Sequence, residues 1–76
     1  MNPIVRRLFE AKIDAEAEMR KKELEMLVLL SEEKNYEHND LQKELFELLK
    51  IKRYIEIQMA QWSVKQIDEQ IKSATQ

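Results

Sequence analysis

The stretch that decides the fold is SEEKNYEHND, residues 31–40. It contains Asn35, Asn39 and Asp40, whose side chains compete with helical hydrogen bonds and favour turns and helix caps. The chain has no glycine, and its single proline, Pro3, lies at the start of the first predicted helix. The sequence therefore predicts helix 1 at about 3–33, a turn at about 34–38 and helix 2 at about 39–73.

Both predicted helices begin with a recognisable cap. Asn2 is followed by Pro3, and proline is favoured at the first helical position. Asn39 is followed three residues later by Gln42, which is the spacing of a capping box. One unbroken helix of more than about 60 residues remains the alternative, because no glycine or internal proline excludes it.

The composition predicts an all-α fold in one domain, residues 1–76. Charged residues make up 37% of the chain, and the turn residues that a sheet needs are nearly absent. Without cysteine there is no disulfide or Cys-based zinc site, which is typical of a reducing compartment. The longest apolar run, residues 26–30, is far shorter than the ~20 residues that span a bilayer. A cytoplasmic protein without membrane contact is expected.

One apolar stripe on each helix predicts how the chain folds back. When the chain folds near residue 36, Leu27 meets Leu45 and Phe9 meets Trp62, and the only cations in the stripes, Arg20 and Lys52, lie at one level. This agreement favours a two-helix antiparallel, coiled-coil-like hairpin over the continuous helix. The predicted hairpin core is Phe9, Ile13, Ala17, Leu24, Leu27, Leu45, Leu48, Ile55, Met59 and Trp62.

The opposite face of helix 2 is apolar as well, and from Ile57 onward its residues alternate steps of three and four. Two helices form a single layer that encloses no core, and so short a chain has little apolar area to bury. We therefore expect a homodimer that completes a four-helix bundle, with a helix of a different protein as the alternative occupant. The predicted self-association interface is Phe46, Leu49, Ile57, Ala60, Val64, Ile67 and Ile71.

No pattern of catalytic or ligand-binding residues is present in the sequence. His38 is the only histidine, and without a second histidine or cysteine it is read as a solvated turn residue. A phosphate-binding loop requires glycine, and the chain has none. No enzyme activity, cofactor or metal site is expected.

The charge pattern bears on the class of partner. The net charge is −2, and acidic residues surround every basic cluster, so a nucleic-acid partner is not expected. The sequence favours a non-enzymatic protein–protein interaction protein: a regulator, an adaptor, an assembly or secretion chaperone, or a phage or mobile-element accessory protein. The alternatives are an obligate subunit of a heteromeric complex and an RNA- or DNA-binding hairpin dimer that uses Arg6, Arg7, Lys21 and Lys22.

Overall fold

A computed structural model describes residues 2–76 and has an all-helical fold. Helix α1 covers Pro3–Ser31, a short 3₁₀ helix covers Glu33–Tyr36, and helix α2 covers Asp40–Thr75. The two long helices run antiparallel as a hairpin, which excludes the single unbroken helix for this structure. Met1 of the predicted unit 1–76 lies outside the described residues.

The predicted caps hold both helix starts. The Asn2 side-chain oxygen accepts a hydrogen bond from the Ile4 N–H at 2.8 Å, ahead of Pro3. The Asn39 side-chain oxygen accepts from the Gln42 N–H at 2.8 Å, and Asn39 has extended backbone angles. Gln42 reaches back, as in a capping box, but it accepts from the His38 N–H at 3.3 Å. These caps satisfy amide groups that have no partner inside the helix.

The hairpin is a thin single layer, with extents of 57 × 15 × 11 Å. Among residues 2–76 only Val5, Leu29, Phe46 and Ile71 are buried, and each is still 4–8% exposed. The apolar residues between the helices are separated mostly by steps of three, four and seven, and we call them the inner seam. It consists of Val5, Leu8, Ala15, Met19, Met26 and Leu29 from α1, and Phe46, Leu49, Ile57, Ala60, Val64, Ile67 and Ile71 from α2.

The structure reverses the sequence-based assignment of the two faces of α2. Every residue of the predicted hairpin core is exposed: Phe9, Ile13, Ala17, Leu24, Leu27, Leu45, Leu48, Ile55, Met59 and Trp62. Every residue of the predicted self-association interface lies instead in the inner seam, covered by α1: Phe46, Leu49, Ile57, Ala60, Val64, Ile67 and Ile71. The hairpin prediction is confirmed, but α2 uses its other face to form it.

Charge pairing across the hairpin gives a physical reason for the reversal. In the predicted packing Arg20 and Lys52 would have met at one level, whereas in the structure both are exposed. The observed packing instead places the Lys12 ammonium 2.7 Å from the Asp68 carboxylate. Partly exposed ion pairs of this kind each contribute little to stability, but the pairs between the helices all favour the observed face.

A closed ring of four charges lies near the middle of the hairpin, and we call it the charge ring. Lys22 lies 3.3 Å from Glu56 and 3.9 Å from Glu25, and Arg53 lies 3.4 Å from Glu25 and 3.0 Å from Glu56. Acid and base alternate around the ring, and each helix contributes one of each. A shift of one helix by a single residue would break the contacts between the helices, so the ring fixes their register.

An aromatic pair closes the turn end of the hairpin. The Tyr36 and Phe46 rings stack with their centroids 5.3 Å apart and their planes inclined by 26°. The Lys50 ammonium lies 5.0 Å from the centroid of Phe46. Phe46 is the most buried apolar side chain of the described core, at 4% exposed.

Candidate interaction surface

The exposed face of α2 carries an apolar stripe, the outer α2 stripe, which is interrupted once, at Lys52. Its members are 46–75% exposed: Leu41, Leu45, Leu48, Ile55, Met59 and Trp62. They recur in alternating steps of four and three residues. One position of this repeat, between Leu48 and Ile55, is occupied by the charged residue Lys52. At ~100° per residue the stripe lies about 150° around the helix from the inner seam. Helix α2 thus has two nearly opposite faces with the spacing of a coiled-coil seam.

Helix α1 carries a similar but less regular surface, the outer α1 stripe. Phe9, Ile13, Leu24 and Leu27 are 40–67% exposed. Between them lie Ala17 and Arg20, so the middle of this stripe is small or charged. The apolar surface is therefore weaker on α1 than on α2.

The C-terminal part of the outer α2 stripe forms a shallow depression of about 360 Å³. Ile55, Met59 and Trp62 line it, with Gln58 and Ser63 at its edge. Trp62 is 63% exposed here, although a tryptophan of a monomer is usually covered for much of its area. Large apolar anchors of this kind are typical of protein interfaces, where tryptophan often contributes most of the binding energy.

Another depression, of about 580 Å³, lies at the turn. Carboxylates line it at Glu33, Glu37, Glu44 and Glu47, together with Lys43 and the stacked rings of Tyr36 and Phe46. One face of the Phe46 ring is already taken by Lys50, which is itself 2.8 Å from Glu47. Within the part of the chain that the structure describes, no group of three His, Cys, Asp or Glu side chains could hold a metal ion.

The charge ring and the Lys12–Asp68 pair are the strongest electrostatic features. The hydrogen bond from Lys22, aided by Arg53, lowers the pKa of Glu56 below its usual value. The hydrogen bonds to Asp68 and Glu56 raise the pKa of Lys12 and of Lys22, respectively. Each shift favours the charged form of its group, as expected for ion pairs that hold the helices in register rather than for groups that exchange protons in a reaction.

The candidate nucleic-acid contacts do not form one patch. Arg6 and Arg7 lie about 22 Å along α1 from Lys21 and Lys22, at ~1.5 Å per residue. Arg6 is paired with Glu10 at 3.3 Å, and Lys22 belongs to the charge ring. Two of the four cations are thus paired with carboxylates and the two clusters lie far apart, which weakens the electrostatic attraction that phosphate binding requires.

Sequence reasoning identified every member of the outer α2 stripe except Leu41, but placed these residues inside the hairpin. It did not identify the charge ring. The signal was present in the sequence, because Lys22, Glu25, Arg53 and Glu56 become acid–base pairs once helix 2 is turned to its other face. Testing both faces for charge pairing would have found the ring.

Over residues 2–76, no helix is long and apolar enough to cross a membrane. Comparison with protein-family models, with curated proteins and with solved structures finds no match to this chain. The function must therefore be argued from the surface described above.

Proposed function

We propose that this chain is a non-enzymatic protein–protein interaction protein, of the regulator, adaptor or assembly-chaperone type, that acts by self-associating through its exposed apolar surface. The observation that supports this most directly is the outer α2 stripe, which has the spacing of a helix–helix seam and no cover. A dimer would bring four helices together. A cytoplasmic location belongs to the proposal and is supported by the absence of cysteine.

The size of the stripe supports an interface. Its six side chains expose roughly 400 Å² of apolar surface, taking ~100 Å² for the full area of an aliphatic side chain and about twice that for tryptophan. The largest apolar patch on a typical monomer is ~300–600 Å² and is often functional. With a polar rim, this stripe approaches the ~800 Å² that each partner buries in a standard interface.

The thin core supports the same conclusion. A hairpin with four buried apolar residues within its described part gains little free energy from folding alone. Covering the outer α2 stripe would add apolar burial at ~25 cal/mol per Å² and so couple folding to association. Self-association would therefore stabilise the hairpin as well as give it a binding surface.

Sedimentation of two neighbouring variants tests the proposal. Trp62→Glu places a charge in the outer α2 stripe, whereas Gln61→Glu adds the same charge at an exposed polar position beside it. We expect the wild type and Gln61→Glu to sediment as dimers, and Trp62→Glu to lose about 2–4 kcal/mol of association free energy. Circular dichroism at matched concentration shows whether each variant keeps its helices.

Three results would contradict the proposal or change it. A wild type that is monomeric and fully helical over the accessible concentration range would overturn self-association. An unfolded wild type that becomes helical only with another protein would favour the obligate subunit of a heteromeric complex. Salt-sensitive retention on a nucleic-acid column, lost when Arg7 and Lys21 are changed to Gln, would favour the RNA- or DNA-binding dimer.

A further inference from the structure

We propose that the outer α2 stripe binds the same stripe of a second copy, antiparallel and around a two-fold axis that passes near Arg53 and Tyr54. Glu44 of each copy then lies beside Lys65 of the other. This inference rests on the self-association proposed above and adds the identity, direction and register of the partner helix. The spacing of the stripe, the position of its one cation and the charges at its two ends support it.

The spacing of the stripe fits a copy of itself. In an antiparallel pair of helices, each a position of one helix faces a d position of the other. A stripe with alternating steps of three and four residues can therefore pack against an identical stripe that runs in the opposite direction. One register places Leu45 against the partner's Trp62 and Leu48 against the partner's Met59. Because the arrangement is symmetric, each of these layers occurs twice. All five apolar members from Leu45 to Trp62 are then used.

The same register gives Lys52 an acceptable environment. Lys52 faces the partner's Ile55, and the carboxylate of the partner's Glu56 lies one position beyond. A register centred on Lys52 would bring the two Lys52 ammonium groups together at the axis and would also place Leu48 opposite the partner's Glu56. Charge repulsion and the loss of apolar layers both disfavour that register.

Charges at the ends of the stripe complement each other in this register. Glu44 and Lys65 are both exposed and flank the stripe on the same side. They lie about 30 Å apart along α2, at ~1.5 Å per residue, so they cannot pair within one chain. Neither forms an ion pair among residues 2–76. Because the two α2 helices run in opposite directions, Glu44 of each copy lies beside the partner's Lys65, once at each end of the interface.

The outer α1 stripe of a second copy is the competing occupant, and it fits less well. Its spacing would place Leu24 against Leu48, but it would also place Arg20 against Lys52. Such a contact joins two different surfaces, so it would leave a free α1 stripe at one end and a free α2 stripe at the other, and growth would not stop. Pairing of α2 with α2 closes after two copies.

The proposed dimer is a layer of four helices with the two α2 helices in the middle. The inner seam and the outer stripe lie about 150° apart on α2, whereas a square four-helix bundle needs seams about 90° apart. Each α2 is covered on both faces, and each α1 lies at an outer edge. This arrangement differs from the closed bundle expected from the sequence.

Disulfide cross-linking reads out the partner helix directly, because the chain has no cysteine of its own. Leu48→Cys with Met59→Cys places two thiols about 16 Å apart within one helix, too far for an internal disulfide. Under mild oxidation we expect this variant to become a covalent dimer. Leu24→Cys with Leu48→Cys should stay monomeric on denaturing gels at the same concentration.

The opposite pattern would overturn the inference. If Leu24→Cys with Leu48→Cys cross-links into ladders and the α2 pair does not, the partner of α2 is α1 and self-association itself still stands. If neither cross-links and the wild type sediments as a monomer, both the inference and the proposed function fail. A wild-type dimer in which neither variant cross-links would mean that another surface forms the interface.

Charge reversal tests the register independently. Glu44→Lys alone and Lys65→Glu alone should each weaken the dimer roughly 5- to 30-fold, because each creates two repulsive pairs per dimer. The double variant should return to within about threefold of the wild type, and the differences should shrink in high salt. Additive losses in the double variant, with helicity unchanged, would exclude this register.

Discussion

The inner seam and the outer α2 stripe lie on one helix with the same spacing of apolar residues, yet α1 covers only the inner seam. The two differ in their charges and in the size of their side chains. Beside the inner seam, two ion pairs join the helices: Lys22 of α1 lies 3.3 Å from Glu56 of α2, and Arg53 of α2 lies 3.4 Å from Glu25 of α1. The outer stripe contains Lys52, which forms no ion pair within the described chain.

Side-chain size separates the two faces in the same direction. The inner seam includes Ala15 and Ala60, which allow the helix backbones to approach closely. In the same turn of α2 as Ala60, the outer stripe has the large side chains of Met59 and Trp62. Small residues and matched charges suit a permanent neighbour of fixed register. Large exposed anchors suit a surface that is covered by association. Spacing therefore identifies candidate seams, while charge and size decide which neighbour each one takes.

The largest effect should come from comparing two variants of α2 that place the same charge in opposite faces, at positions only two residues apart. Ile57→Glu puts a carboxylate in the inner seam, where Ile57 is half-buried, and should cost about 3–4 kcal/mol and unfold the hairpin. Ile55→Glu puts the same charge in the outer stripe and should abolish dimerisation while it costs the monomer much less helix than Ile57→Glu does. Circular dichroism and sedimentation on the two variants check this. Equal loss of helix in both would mean that the faces are not energetically distinct.

Truncation of two leucines on α1 should give the next largest effect. Leu29 is 7% exposed in the inner seam and Leu27 is 61% exposed in the outer α1 stripe. Leu29→Ala should cost about 2–3 kcal/mol in urea unfolding, and Leu27→Ala less than about 1 kcal/mol. Measurements at low protein concentration keep association from contributing. A larger cost at Leu27 would place the core where the sequence first suggested it.

The sequence was sufficient for the helices and for the turn between them, because caps and turn residues act locally. Asn2 and Asn39 form the predicted cap hydrogen bonds, and Gln42 accepts from the His38 N–H, one residue from the Asn39 N–H expected for a capping box. The choice of face was not local. It depended on pairs such as Lys12 with Asp68, which are brought together only when the helix is turned by about 150°. The alignment of apolar residues on the two helices therefore predicted the packing face of α2 less well than the charges beside those residues would have done.

Protonation of Glu56 should produce a smaller effect that separates the charge ring from apolar packing. Its pKa is lowered in the folded state by the hydrogen bond from Lys22, so it adds stability above its usual pKa of 4.5, and this stability is lost as the pH falls toward the folded value. Glu56→Gln should reduce the acid sensitivity of unfolding as the pH falls below about 4.5. Glu69→Gln, at an exposed position outside the ring, is the control. An unchanged acid profile in Glu56→Gln would show that the ring does not contribute to stability.

The smallest effect should come from Lys52, the one charge at a seam position of the outer α2 stripe. In the monomer Lys52 is exposed, so Lys52→Leu should change the unfolding free energy by less than about 0.5 kcal/mol. In the dimer the same change extends the apolar stripe and removes the need to desolvate an ammonium group, so association should tighten about three- to tenfold. Lys72→Leu, exposed and ten residues beyond the stripe, controls for the loss of a positive charge. Equilibrium sedimentation over a dilution series measures both. Looser association of Lys52→Leu would mean that Lys52 has an acidic partner across the interface, and Glu56 of the second copy would be the residue to substitute next.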